Sequence, residues 1–199
     1  MEKELIFSLI STLLLIIGFA PLWRDILEWR TIPHPFTKWI WLILVSINIY
    51  ILYANSQFVA MIAPVVLWIC LAWETVIGLW KQKNLSMNWF DYLCLLLSFW
   101  CLIYLIFFRN LQNAAILTII VDFIALLPLF KKWWLFPWSE TTWTYFISWV
   151  SQLFTILALT APNTETLIFW VYVLIMDAIL VLFIISRLYY LKGWKSIFE

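Results

Sequence analysis

The sequence predicts an all-α integral membrane protein. Its seven transmembrane helices form a 3+1+3 parallel repeat, with the N-terminus outside and the C-terminus cytoplasmic. Three observations predict this. Of the 199 residues, 66% are apolar, and mean hydropathy is +0.99. Charged residues make up 12%, about half the usual share. A helix–proline–basic loop–helix pattern also occurs twice, once in each half of the chain.

A transmembrane helix needs roughly 20 consecutive, mostly apolar residues. Seven stretches qualify: 5–23, 39–53, 58–80, 89–108, 114–130, 143–161 and 167–191. The first follows Glu2 and Glu4 and lacks a small-residue cleavage site, so it reads as a retained span, not a signal peptide. The second is short unless it starts near Phe36, with Lys38 snorkelling to the surface. The connections are short, and no stretch alternates as a strand does. The expected organisation is a first three-helix repeat (1–83), a linking fourth helix (84–110), and a second repeat with a short cytoplasmic tail (111–199).

Orientation follows from Lys and Arg. One side carries Arg24, Arg30, Lys38, Lys81, Lys83, Lys131, Lys132, Arg187, Lys192 and Lys195; the other carries only Lys3 and Arg109. The richer side is assigned to the cytoplasm, which places the chain as a multi-pass protein of the cell (inner) membrane. Ten Trp residues fall at or near predicted cytoplasmic ends: Trp23, Trp29, Trp39, Trp80, Trp89, Trp133, Trp134, Trp138, Trp143 and Trp194. There an indole places its ring in lipid and its N–H among headgroups. Trp68, Trp73, Trp100, Trp149 and Trp170 lie deeper. Cys70, Cys94 and Cys101 sit in apolar runs without metal spacing and read as small packing residues.

The repeat shows in two windows. The first is Pro21-Leu-Trp-Arg-Asp-Ile-Leu-Glu-Trp-Arg-Thr-Ile-Pro-His-Pro-Phe-Thr-Lys-Trp-Ile-Trp41. The second is Ala125-Leu-Leu-Pro-Leu-Phe-Lys-Lys-Trp-Trp-Leu-Phe-Pro-Trp-Ser-Glu-Thr-Thr-Trp-Thr-Tyr145. Pro21 pairs with Pro128 at an offset of 107, and Trp39 with Trp143 at 104, so the second loop is three residues shorter. With seven spans, the first and fifth run in the same direction, and the fourth has no copy. Duplicated membrane bundles commonly hold a site where the repeats meet.

The first window resembles a loop of seven-helix bacterial membrane proteins, and residues 121–141 resemble the second half of the same proteins. Their three-plus-one-plus-three plan is similar to the PQ-loop and SWEET group, which moves sugars, amino acids and other small solutes. The chain departs from that group in two ways. Leu22 and Leu129 follow the prolines where the PQ dipeptide would stand, and the second and sixth spans contain no proline. The resemblance therefore implies transport of a small solute but not selectivity for sugars.

Polar residues inside apolar spans are the candidate site. A charge at the bilayer centre costs several kcal/mol, so it faces a partner or a wet cavity. Asp177 lies mid-way along the seventh span, Asp122 six residues before Pro128, and Glu74 in the cytoplasmic half of the third. Asp91, near the start of the fourth span, reads as an anion at a helix N-terminus. Asn48 and Gln152 are related by the same 104 offset and carry amides into the second and sixth spans, either to meet a solute or to join helices. Pro21 and Pro128 each interrupt a helix ladder and are candidate hinges. Arg24, Asp25, Glu28 and Arg30, with Lys131, Lys132 and Glu140 in the copy, form a candidate cytoplasmic latch or a headgroup-binding cluster. His34, between Pro33 and Pro35, reads as part of a rigid turn.

The expected function is facilitative or proton-linked movement of a small polar solute by alternating access between the repeats. The alternative is a structural or accessory membrane subunit with no solute path. The expected partners are the bilayer, the solute, and either further copies or a partner membrane subunit; nucleic acid, cofactors and metals are not expected. Enzymatic chemistry is not expected either. No paired-histidine motif or Gly-rich phosphate loop is present, and Gly18, Gly78 and Gly193 are the only glycines. A retinal Schiff base would need a mid-span Lys in the seventh helix, whereas Lys192 lies at its edge.

Overall fold

The computed structural model describes residues 2–31, 35–81, 89–108, 110–135 and 141–192. Seven α-helices account for most of these, and the described residues contain no strand. They are α1 (Glu2–Leu27), α2 (Pro35–Ala54), α3 (Ile62–Lys81), α4 (Trp89–Phe108), α5 (Leu111–Leu135), α6 (Thr142–Leu157) and α7 (Thr164–Lys192). Stretches long and apolar enough to cross a membrane are Glu2–Leu27, Thr37–Ala54, Ile62–Trp80 and Thr164–Leu191. Shorter apolar stretches, Leu95–Tyr104 and Leu111–Leu127, lie in α4 and α5. Leu13, Trp73, Leu96, Phe107 and Leu182 are all more than half exposed. So large an apolar exterior suits lipid and not water.

Local chemistry sets the helix ends. Asn110 caps α5, its Oδ1 accepting the Asn113 N–H at 3.0 Å. At α7, Asn163 Oδ1 accepts the Thr166 N–H at 2.9 Å while Thr166 Oγ1 accepts the Asn163 N–H at 3.1 Å, a reciprocal capping box. α1 and α2 both end in a left-handed residue, Trp29 at φ 62° and Ser56 at φ 57°. In each case the next N–H reaches back into the last turn, from Arg30 to Asp25 O (2.8 Å) and from Gln57 to Leu52 O (2.9 Å).

Two helices are shorter than expected. α3 begins at Ile62 and not Phe58, because residues 58–61 form turns. Pro64 then falls in the first helical turn, where its missing N–H costs nothing. α6 stops at Leu157, short of the expected residue 161. Gln57 explains the stop: its Oε1 accepts the Thr160 N–H and hydroxyl, both at 2.9 Å, and its Nε2 donates to Ala161 O at 3.0 Å. These backbone groups are bonded to another loop instead of continuing the helix.

The helices pack in the pairs α1·α3, α2·α3, α5·α7, α6·α7, α1·α6, α2·α5, α2·α4, α4·α5 and α2·α7. The α1·α6 seam carries small and hydroxyl residues, Ser11 and Gly18 of α1 meeting Thr144, Ile147, Ser151 and Thr155 of α6. Ser11 Oγ lies 2.8 Å from both Ser151 Oγ and Thr155 Oγ1. A methyl group on Gly18 would come within 3.0 Å of Ile147 Cγ2. Close backbones and hydroxyl bonds of this kind join helices in lipid, where burial of apolar surface adds little. The α2·α5 seam is apolar: Ile40, Leu44, Ile47 and Ile51 meet Ala114, Ala115, Val121 and Ala125.

Candidate functional site

Six helices converge on one cavity of about 90 Å³; none of the described α4 side chains lines it. Helical periodicity supplies the walls. α2 presents Lys38, Trp41 and Val45, α6 presents Thr144, Tyr145, Ser148 and Gln152, and α7 presents Trp170, Val173, Asp177 and Leu180. Apart from the adjacent Thr144 and Tyr145, these spacings of three and four keep each set on one helix face. Asp122 and Leu126 come from α5, Phe19 and Leu22 from α1, and Leu67 and Leu71 from α3. One water needs roughly 10–15 Å³ by this measure, so the space admits several waters or a solute of a few heavy atoms.

Three of the five expected solute-contacting residues, Asp122, Asp177 and Gln152, line this cavity. Ser148 Oγ donates to Asp177 Oδ2 at 3.1 Å, and the charged neighbours of Asp177 are Asp122 and Lys38. Asp122 is 8% exposed and lies beside Tyr172 and Trp41. The enclosed Tyr172 hydroxyl faces the Asp122 carboxylate. Gln152 is 2% exposed, and its Oε1 has no donor among the described residues.

The other two lie elsewhere. Asn48 is buried but turned back along its own helix, its Nδ2 donating to Leu44 O at 2.8 Å, and it is not part of the lining. Glu74 is fully buried behind the wall, with Oε2 2.7 Å from Lys38 Nζ. This corrects the expectation that Lys38 snorkels outward. Its ammonium turns into the bundle, lies 4.5 Å from the Trp41 ring centroid, and pairs with Glu74. A basic side chain three residues from a helix start reaches either way, and a buried carboxylate on the adjacent helix decides the direction. Trp133 is a second correction. Expected at the interface, it is wholly buried against Tyr145, whereas Trp134 beside it is exposed.

Hydrogen bonds tie the two halves of the chain at both ends of the bundle. At one end, Gln57 holds the α6–α7 connection as described, and Asn163 Nδ2 donates to Asn55 Oδ1 at 2.7 Å. At the other, Thr141 Oγ1 donates to Asp25 Oδ2 at 2.7 Å and lies 3.4 Å from Thr31 Oγ1. Of the residues expected to form a charged latch, Arg30 pairs with Glu28 at 2.8 Å and Arg24 approaches Asp25 at 3.7 Å. The side chains of Lys131, Lys132, Asp91, Cys94 and Pro128, and all of His34 and Glu140, lie outside the described residues.

Pro21 sits inside α1, which continues to Leu27. In the turn before it, the Gly18 carbonyl accepts Thr144 Oγ1 at 2.9 Å, a side-chain bond at the point where proline weakens the ladder. α5 likewise continues past Pro128 to Leu135. Among the deeper tryptophans, Trp170 is buried and lines the cavity, whereas Trp73 and Trp100 face outward. Cys70 and Cys101 are buried free thiols. Sequence reading did not single out Trp41, Tyr145 or Ser148; their spacing from Lys38 and Gln152 was the available signal. Comparisons with protein-family models, with curated proteins and with solved structures found no match to the chain.

Proposed function

We propose that this protein carries a small polar solute across the cell (inner) membrane, by alternating exposure of a central site between two three-helix repeats. One observation carries the reading: the cavity lies where α1, α2, α3, α5, α6 and α7 converge and is lined by Asp122, Asp177 and Gln152. The pattern of packed helices supports the 3+1+3 plan. Exchanging α1, α2 and α3 for α5, α6 and α7 turns α1·α3, α2·α3 and α1·α6 into α5·α7, α6·α7 and α2·α5, and all six pairs occur. The PQ-loop and SWEET resemblance points the same way, with Pro21 and Pro128 as the matching bends. The reading places the N-terminus outside, so the Gln57 clasp is the outer closure and the Asp25–Thr141 bond the inner one. An accessory subunit without a solute path would favour a filled centre, and the cavity weighs against that alternative.

The test is uptake into proteoliposomes across a panel of small cations, neutral amides, sugars and amino acids. An Asn55→Cys/Asn163→Cys pair is then oxidised to lock the outer loops together. Saturable uptake that stops on oxidation and returns on reduction is expected. Absence of protein-dependent uptake across the panel would remove the carrier reading.

A further inference from the structure

We propose that the cavity binds a small organic cation of the alkylammonium type, with Asp122 and Asp177 as counter-ions and Gln152 Oε1 as a third acceptor. The biological use of this site rests on the carrier reading; the binding chemistry does not.

Charge comes first. Lys38, Glu74, Asp122 and Asp177 lie in or directly behind the cavity wall. Lys38 is the one basic side chain among the described residues that line the cavity, and its ammonium is held by Glu74 at 2.7 Å. Two carboxylates then share the space, and among the described residues no cation is dedicated to either. Ser148 supplies Asp177 with a single hydroxyl, and the side chains beside Asp122 are the neutral Tyr172 and Trp41. Carboxylates removed from water need compensation, and a bound cation supplies it.

Gln152 is the independent pointer to a ligand. Its carbonyl oxygen is enclosed, lies on a cavity-lining residue and lacks a donor among the described residues. A buried acceptor left unpaired is unfavourable, so the site calls for a molecule that donates there. An ammonium offers only donors, which matches two carboxylates and an amide oxygen. Trp41, Tyr145 and Trp170 add aromatic rings to the lining, and ring faces attract cations. The volume of about 90 Å³ restricts the guest to a few heavy atoms.

The full chain in lipid nanodiscs is titrated calorimetrically with methylammonium and ethylammonium. Acetamide and acetate serve as neutral and anionic controls of similar size. Saturable binding of the two cations alone is expected. Asp122→Asn and Asp177→Asn should each weaken it at least about tenfold, as for removal of a buried charge partner. Gln152→Leu should weaken it less. The wild-type comparison of ethylammonium with acetamide decides the matter even if a variant does not fold. No saturable cation binding, equal binding of acetamide, or undiminished binding by both Asn variants would overturn the assignment. Uptake of a neutral solute without cation binding would sink this assignment and spare the carrier reading; cation binding with no uptake would do the reverse.

Discussion

Replacement of Lys38 by Met is the sharpest probe of the inward-turned ion pair. The substitution keeps the side-chain length and removes the charge that faces Glu74 across 2.7 Å. Glu74 is wholly buried, and its pairing with Lys38 is internal to the bundle. Removing one partner of such a pair costs about 3–5 kcal/mol, because the remaining charge stays buried. For a chain of this size, about 2–4 °C of midpoint shift accompanies each kcal/mol, so the melting temperature should fall by about 6–20 °C. Glu74→Gln should cost less, about 1–3 kcal/mol, since Lys38 keeps Trp41 and the nearby Asp177. The double variant Lys38→Met/Glu74→Gln leaves no orphaned charge and should fall within about 1 kcal/mol of wild type. The cycle then gives about 3 kcal/mol or more of coupling. Intrinsic tryptophan fluorescence during heating in detergent reads all four proteins. If Lys38→Met costs under about 1 kcal/mol and the double variant equals the sum of the singles, the pair is worth no more than an exposed one. The inward placement of Lys38 would then be refuted.

Gly18→Ala gains about 1 kcal/mol of helix propensity but forces a methyl group to within 3.0 Å of Ile147, so a net loss of about 1 kcal/mol is expected in the same melting assay. Gln57→Leu leaves the Thr160 N–H and the Ala161 carbonyl without their side-chain partner. Faster hydrogen exchange at Thr160, with a loss of about 1–3 kcal/mol, should follow, and unchanged exchange would contradict the clasp. Ser56→Gly relieves a left-handed conformation at the end of α2 and should raise the melting midpoint by an amount equivalent to about 1 kcal/mol. Reporter fusions test the proposed orientation: a fluorescent protein at the C-terminus should fold in the cytoplasm, and a phosphatase inserted between Thr160 and Asn163 should be active outside.

Much of the fold was legible because lipid leaves a chain few choices. Backbone groups in hydrocarbon must bond within their own segment, so each long apolar run becomes a helix. The fourth run, 89–108, coincides with α4. The first, second, fifth and seventh runs extend by a few residues, because polar caps such as Asn110 and Asn163 lie outside any apolar window. The early end of α6 could not be read from α6 itself. The groups that would have extended it are bonded by Gln57, about one hundred positions away in the chain.

The candidate site was legible in its rarest members and hidden in its commonest. Asp122, Asp177 and Gln152 stand out as polar residues in apolar runs, and burial of each is costly enough that a cavity or partner is implied. Asn48 shows the limit of that logic. An amide in the same setting can satisfy itself on the carbonyl one turn back, here Leu44 O at 2.8 Å, and a sequence does not reveal which choice was made. Trp133 and Trp134 make the same point with rings: adjacent and identical, one is at 0% exposure and the other at 54%. Composition assigns both to the interface, whereas helical phase sends neighbouring positions about 100° apart around the axis. Lys38 is the case with most consequence. Near a helix start, the interface and the interior are both within reach of its four-carbon stem. Glu74, placed beside it by the packing of α2 on α3, is what turns the ammonium inward. That one contact pairs the lysine with Glu74 and keeps it from serving either aspartate as a dedicated partner.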